Sequence, residues 1–149
     1  MEKKDLKPAG VFKYFEEICQ VPRPSKKEEK MIAYLKAFGA KHNLETKVDE
    51  AGNVLIKKPA TPGKENLQTV VLQSHIDMVC EKNNDVQHDF LTDPIETEID
   101  GEWLKAKGTT LGADNGIGVA TELAILADDS IEHGPLECLF TVEDRKSVV

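Results

Sequence analysis

The chain has 149 residues, enough for one ordinary domain, and its formal net charge is −8 at pH 7 with a sequence pI near 5.0. This acidic balance excludes nucleic acid as an expected partner, because binding to phosphates needs clustered Lys and Arg side chains. The sequence contains neither an apolar stretch of the ~20 residues that span a membrane nor an amino-terminal secretory signal, so we expect a cytoplasmic protein without membrane contact.

Hydrophobic periodicity predicts helices that alternate with short strands, which indicates an α/β fold with a mixed sheet, flanking helices and hairpins. Ser25 and Glu28 form a capping-box pattern at the start of the second helix. In chain order, we predict helices over residues 7–19 and 26–41, a hairpin over 44–48 and 53–57, a buried central strand over 69–74, a second hairpin over 95–99 and 102–106, a helix over 115–127, and a strand over 136–142.

A histidine and an aspartate stand at the end of the predicted central strand. Side chains alternate between the faces of a strand, so His75 and Asp77 project in the same direction. A metal-bound histidine usually donates its other ring N–H to a carboxylate, which fixes the tautomer, and Asp77 is placed for that role. The pair alone is also compatible with a core histidine beside a surface aspartate.

A second carboxylate, Asp114, lies on a turn between Gly112 and Gly116, directly before an apolar helix. A helix N-terminus favours the charged form of a carboxylate, and an ionised carboxylate can bridge two cations ~3.5–4 Å apart. The position suits an N-cap aspartate equally well. The glycine pattern lacks the Gly-Lys-Ser/Thr ending of a phosphate loop. His75, Asp77 and Asp114 together predict a metallohydrolase that holds one or two divalent metal ions.

These motifs resemble the amino-terminal part of the aminoacyl-histidine dipeptidases, also called Xaa-His dipeptidases or peptidase D. They form a branch of the zinc metallopeptidase family that includes carboxypeptidase G and aminoacylase. The resemblance covers nearly the whole chain. Its carriers are PRPS at 22–25, SHIDMVCEK at 74–82, HDF at 88–90, DPI at 93–95 and the long run WLKAKGTTLGADNG at 103–116.

The resemblance implies a three-layer α/β/α catalytic domain with a smaller lid domain, two zinc ions per site with manganese or cobalt as alternatives, and dipeptides or short peptides as substrates. His75 matches the histidine ligand of one zinc, Asp114 the bridging aspartate, and Asp77 the aspartate that orients the histidine. A homodimer is implied for the full-length parent protein.

Two departures from the family pattern bear on activity. The family places a glutamate base and then a glutamate ligand after a strand such as the one predicted over residues 136–142, whereas Asp144 and Arg145 fall there in this chain. Arginine has no lone pair to offer a metal. A register shifted by one residue would place Glu143 at the base and Asp144 at the ligand.

The second departure is length, because the family's later acidic ligand, its lid and its distant histidine ligand have no counterpart in residues 1–149. We therefore expect an amino-terminal fragment of the catalytic domain, with at most one weak metal site and without full activity. Two alternatives stay open. One is a non-catalytic peptide- or partner-binding domain in which Arg145 holds a peptide carboxylate, and the other is a metal-dependent esterase or deacylase.

Overall fold

The structure is a computed structural model that describes residues 1–142, and its secondary structure follows the predicted order closely. The bounds of the elements are a 3-10 turn Lys3–Asp5, α1 Ala9–Cys19, α2 Glu29–Lys41, β1 Glu45–Val48, β2 Val54–Lys58, β3 Val70–His75, β4 Thr97–Asp100, β5 Trp103–Ala106, α3 Ala113–Ala127 and β6 Leu136–Thr141. Within residues 1–142, no helix is long and apolar enough to cross a membrane.

Four of the strands form one mixed sheet in the order β1-β2-β6-β3. The pairs β1–β2 and β2–β6 are antiparallel, whereas β3 and β6 run parallel with His75 opposite Thr141. Both predicted hairpins are confirmed, and the second, β4–β5, forms a separate two-stranded sheet. The mixed sheet with flanking helices confirms the predicted fold class.

Strand β6 is one of the two inner strands of the sheet, and its Cys138 and Phe140 side chains are fully buried. The prediction of a central strand over residues 69–74 was wrong for the described part of the chain, because β3 pairs only with β6 there and lies at the sheet edge. Val70 and Val71 are accordingly 50% and 56% exposed. An apolar run indicates that a strand can be buried, but it does not determine which strands pair with it.

The packing of the helices places α3 against β3. Helix α1 packs on α3, α3 packs on β3, and α2 contacts β1 and β2. The apolar faces of these elements meet in a single core, in which the largest fully buried apolar side chains are Phe15, Phe140, Ile18, Met31, Leu35, Ile56, Ile76 and Leu123. Lys58 also holds the carboxyl end of α3, where its ammonium group donates to the carbonyl oxygens of Ile125 and Asp128.

The start of α2 differs from the capping-box prediction, which was wrong. The helix begins at Glu29, and the Glu28 carboxylate accepts the backbone N–H of Lys26 at 2.7 Å. The Ser25 hydroxyl donates instead to the Asp77 carboxylate at 2.6 Å. The Ser25 hydroxyl therefore bonds to a residue distant in sequence, and it does not cap the helix as the local pattern predicted.

Candidate metal centre

The last residue of β3 carries an imidazole that is held by a neighbouring carboxylate. His75 Nδ1 lies 2.9 Å from Asp77 Oδ1, and the two side chains are only 12% and 13% exposed. The ring can donate its Nδ1–H to this oxygen, which leaves the lone pair of Nε2 directed away from the sheet. The structure thus brings His75 and Asp77 together with the geometry of an oriented metal ligand.

The glycine turn, residues 112–116, brings Asp114 to the other side of this ring. Gly112 takes a left-handed backbone conformation with φ of 77°, and the Asp114–Asn115 peptide is cis. Asp114 Oδ1 lies 3.0 Å from His75 Nε2, and the Asp114 side chain is 96% exposed. The N–H of Gly118 is capped by the Asn115 side chain at 3.0 Å, and Asp114 makes no capping bond. The interpretation of Asp114 as an N-cap was therefore wrong.

The electrostatics of His75 reflect its two carboxylate neighbours. Burial lowers the pKa of the imidazole, but its hydrogen bonds to Asp114 and Asp77 act in the opposite direction and leave the pKa raised above its ordinary value. In the metal-free chain, a proton on Nε2 therefore satisfies both the ring and Asp114. A metal cation bound by the same two groups would replace that proton.

The donor chemistry of this arrangement fits a divalent metal as part of a site. An imidazole nitrogen and a carboxylate oxygen are the ligands that zinc takes in proteins, and the second ring nitrogen already has its carboxylate partner. Within residues 1–142, no group of three or more His, Cys, Asp or Glu side chains converges on one point. The described residues therefore supply two ligands and one orienting group, and a complete site needs further donors.

Sequence patterns missed two residues that touch this centre, Arg23 and Ser25. Both belong to the PRPS motif, to which the resemblance assigned no role, and the capping-box pattern gave Ser25 a different one. The predicted base Asp144 and its neighbours Glu143 and Arg145 lie outside the described residues. The peptide-binding alternative, which depends on Arg145, stays an untested prediction.

The chain is 51% identical over 144 residues to the cytosol non-specific dipeptidase of Escherichia coli (strain K12), a match that covers 97% of the chain. The crystal structure of aminoacylhistidine dipeptidase from Vibrio alginolyticus superposes with a TM-score of 0.93 and 53% identity, again over 97% of the chain. Over nearly all of its residues, the chain is therefore similar to these two dipeptidases. No protein-family model matches it.

The match covers only the amino-terminal portion of these dipeptidases. The chain spans 30% of the length of the E. coli relative and 29% of the Vibrio structure. More distant likenesses extend to an uncharacterised protein of Bacillus subtilis (strain 168), which is 25% identical over 91% of the chain and 36% of its own length. The aminopeptidase PepT from Bacillus cereus has a similar fold, with a TM-score of 0.74 and 23% identity over 91% of this chain and 36% of its own length.

Proposed function

We propose that residues 1–149 form the amino-terminal part of the catalytic domain of a cytoplasmic, zinc-dependent dipeptidase. The observation that supports this proposal is the imidazole of His75, which lies between Asp77 at 2.9 Å and Asp114 at 3.0 Å. The relation to the E. coli cytosol dipeptidase supports both the reaction class and the compartment. The remaining ligands, the lid domain and a dimer interface are proposed to lie in the part of such a dipeptidase that this chain does not cover.

Each residue has a separate proposed role. His75 offers Nε2 as a neutral ligand, and Asp77 fixes the tautomer by accepting the Nδ1 proton. Asp114 presents a freely accessible carboxylate on the glycine turn, where it can reach one metal ion or bridge two. The partial burial of the His75–Asp77 pair limits the access of competing water to their hydrogen bond.

The chemistry of peptide cleavage would then be shared between the metal and a base. Bound zinc, or manganese or cobalt in its place, supplies Lewis acidity, which polarises a peptide carbonyl and makes water nucleophilic near neutral pH. Asp144 is the proposed general base that takes a proton from the attacking water. Its side chain is one methylene shorter than glutamate, and a misplacement of ~1 Å can cost ~10²-fold in rate.

Zinc binding by the 149-residue chain should depend on the three candidate residues. We expect His75→Gln and Asp114→Asn each to weaken Zn²⁺ binding by at least about 100-fold, since each removes a ligand, and Asp77→Asn to weaken it by about 10- to 100-fold through the ring it orients. Competition with a chromophoric chelator at neutral pH measures the three affinities.

His42→Gln and Asp100→Asn serve as matched controls, because both side chains lie outside the candidate centre and neither change should alter zinc affinity. Equal zinc affinity in the wild type and the His75 and Asp114 variants would contradict the proposed site. In a complete protein that contains this region, hydrolysis of an Xaa-His dipeptide should be lost with EDTA and in Asp114→Asn. Activity that survives both changes would contradict the proposed function.

A further inference from the structure

A buried arginine lies beneath the candidate metal centre. The segment between α1 and α2 runs beside the residues after β3, where the N–H of Met78 donates to the Arg23 carbonyl oxygen at 3.0 Å and Pro24 forms a parallel bridge with Met78. This pairing aims the Arg23 side chain into the protein, where it is only 2% exposed. A fully buried arginine is rare without partners that satisfy its donors.

The partners of the Arg23 guanidinium belong to both segments that carry candidate ligands. Nη1 donates to the carbonyl oxygens of Ile76 at 3.0 Å and Asp77 at 3.4 Å, and Nη2 donates to the carbonyl oxygen of Gly112 at 2.7 Å. Ile76 directly follows His75, and Gly112 lies two residues before Asp114. The planar, rigid fork of donors therefore spans the distance between the two backbones that present His75 and Asp114.

The glycine turn makes room for this guanidinium. A Cβ atom on Gly112 would lie 2.7 Å from Arg23 Nη2, and one on Gly116 would lie 2.6 Å from the same atom. Both contacts are too close for a side chain at either position. The absence of side chains at Gly112 and Gly116 thus permits the approach of Arg23, in addition to the positive φ that Gly112 adopts.

Ser25, two residues further along, contacts the orienting carboxylate itself. Its hydroxyl donates to Asp77 Oδ2 at 2.6 Å, while Oδ1 of the same carboxylate remains bonded to His75 Nδ1. A second, longer approach of 3.3 Å joins the hydroxyl to the Met78 carbonyl oxygen. With both oxygens engaged, the plane of the Asp77 carboxylate is fixed, and so is the ring that it orients.

We propose that Arg23 and Ser25 are positioning residues of the metal centre. Arg23 sets the separation of His75 from Asp114 by binding the two backbones at once, and Ser25 sets the orientation of His75 through Asp77. The proposal deepens the proposed function and rests on it for the identity of the ligand, Zn²⁺. The geometric part, coupling of the glycine turn to the end of β3, stands independently of metal.

The test compares Arg23→Met with Lys58→Met, a matched control in which a basic side chain also donates to carbonyl oxygens, at the opposite end of α3. Arg23→Met should weaken Zn²⁺ binding by about 10- to 100-fold, the range for outer partners of metal ligands, and Lys58→Met should leave it unchanged. Arg23→Lys keeps the charge but not the fork, and it should have a smaller effect in the same direction. It replaces the methionine variant if that variant does not fold.

A second readout needs no metal. The N–H of Gly116 donates to the Gly112 carbonyl oxygen that Arg23 also binds, so its hydrogen exchange reports the order of the turn. Exchange at Gly116 should be faster in the Arg23 variants by about 10-fold or more relative to exchange in α2, and unchanged in Lys58→Met. Ser25→Ala should weaken zinc binding without changing exchange at Gly116, because the hydroxyl bonds to Asp77 and Met78, which follow β3, and to no residue of the glycine turn.

The outcomes distinguish a failure of the proposed function from a failure of the positioning role of Arg23. If zinc binding by the wild type does not depend on His75 and Asp114, the proposed function fails, and the Gly116 exchange alone then decides whether Arg23 couples the turn to β3. If the Arg23 variants match Lys58→Met in exchange and in zinc affinity, the positioning role is overturned. Faster exchange with weaker zinc binding in the Arg23 variants supports it.

Discussion

The Glu122→Gln variant should be more stable than the wild type, by a free energy that grows as the pH rises from 4.5 to 8. Glu122 lies on α3 and is 4% exposed. One carboxyl oxygen, Oε2, accepts a hydrogen bond from the Ser74 hydroxyl at 3.1 Å, and the other, Oε1, has no hydrogen-bond partner within residues 1–142. Burial therefore raises the pKa of Glu122 to about 8, against a smaller lowering by Ser74.

The direction of this pH dependence follows from the number of protons that the folded and unfolded chains bind. Between pH 4.5 and about 8, the folded chain keeps the Glu122 proton and the unfolded chain loses it, so this group lowers the free energy of unfolding as the pH rises. The slope is about 1.4 kcal/mol per pH unit, and the accumulated loss at pH 8 is on the order of 3–5 kcal/mol. Glutamine has nearly the shape of the neutral acid and does not titrate, so it removes the slope.

The groups that face Glu122 reinforce this expectation. Cys138 on β6 is also buried, and its burial together with the charge of Glu122 raises the pKa of the thiol to about 12. Lys58, whose charge lowers the pKa of Cys138, donates to carbonyl oxygens at the end of α3. Ionised Glu122 would therefore remain without a direct cationic partner among the described residues.

Urea unfolding of the wild type and Glu122→Gln across this pH range measures the difference. The two free energies of unfolding should nearly coincide near pH 4.5 and diverge as the pH rises. Glu102→Gln changes an exposed glutamate and should track the wild type throughout. Parallel curves for Glu122→Gln and the wild type would show that the buried carboxyl does not titrate as inferred.

Phe15→Ala should destabilise the chain by about 3–5 kcal/mol, the usual cost of removing a fully buried phenylalanine. Phe15 has no exposed surface, and it lies on the face of α1 that packs against α3. A Cβ atom on Gly116 would come within 3.0 Å of its ring, which places Phe15 directly behind the glycine turn. The cavity should therefore loosen the turn as well as the core.

Phe12→Ala is the matched control, since it makes the same substitution on the same helix at a half-buried position. We expect it to cost about 1–2 kcal/mol, in proportion to the smaller apolar area that it removes from the interior. Urea unfolding midpoints at constant pH compare the two variants. Equal losses would mean that the α1–α3 contact does not concentrate stability at Phe15.

Local patterns predicted the elements of this fold well and its assembly only in part. The helical spacing of residues 7–19 and the second hairpin, over 95–99 and 102–106, depend on neighbours in sequence, and the structure confirms both elements. The position of β3 at the sheet edge depends on pairing with β6, which no local pattern encodes. Ser25 shows the same limit, because its capping pattern was real in sequence but its partner is Asp77.

In the candidate centre, too, the sequence predicted the local contact and left the long-range contact open. His75 and Asp77 are two residues apart, so strand alternation alone brings them together. Asp114 reaches the other ring nitrogen from 39 residues further along the chain, where α3 packs against β3. Sequence spacing left Asp114 equally compatible with a helix cap, and only the tertiary structure shows that Asn115 takes that role.

The inner position of β6 has a consequence for folding during synthesis. It is the last described strand to leave the ribosome, yet it lies between β2 and β3 and supplies every sheet contact that joins them. Until β6 emerges, the nascent chain can form its local helices and the β1–β2 hairpin. Strand β3 then has no partner strand among the described residues. Such non-local pairing is slow to form and exposes apolar strands in the interval, so we expect this chain to be prone to aggregation during its synthesis.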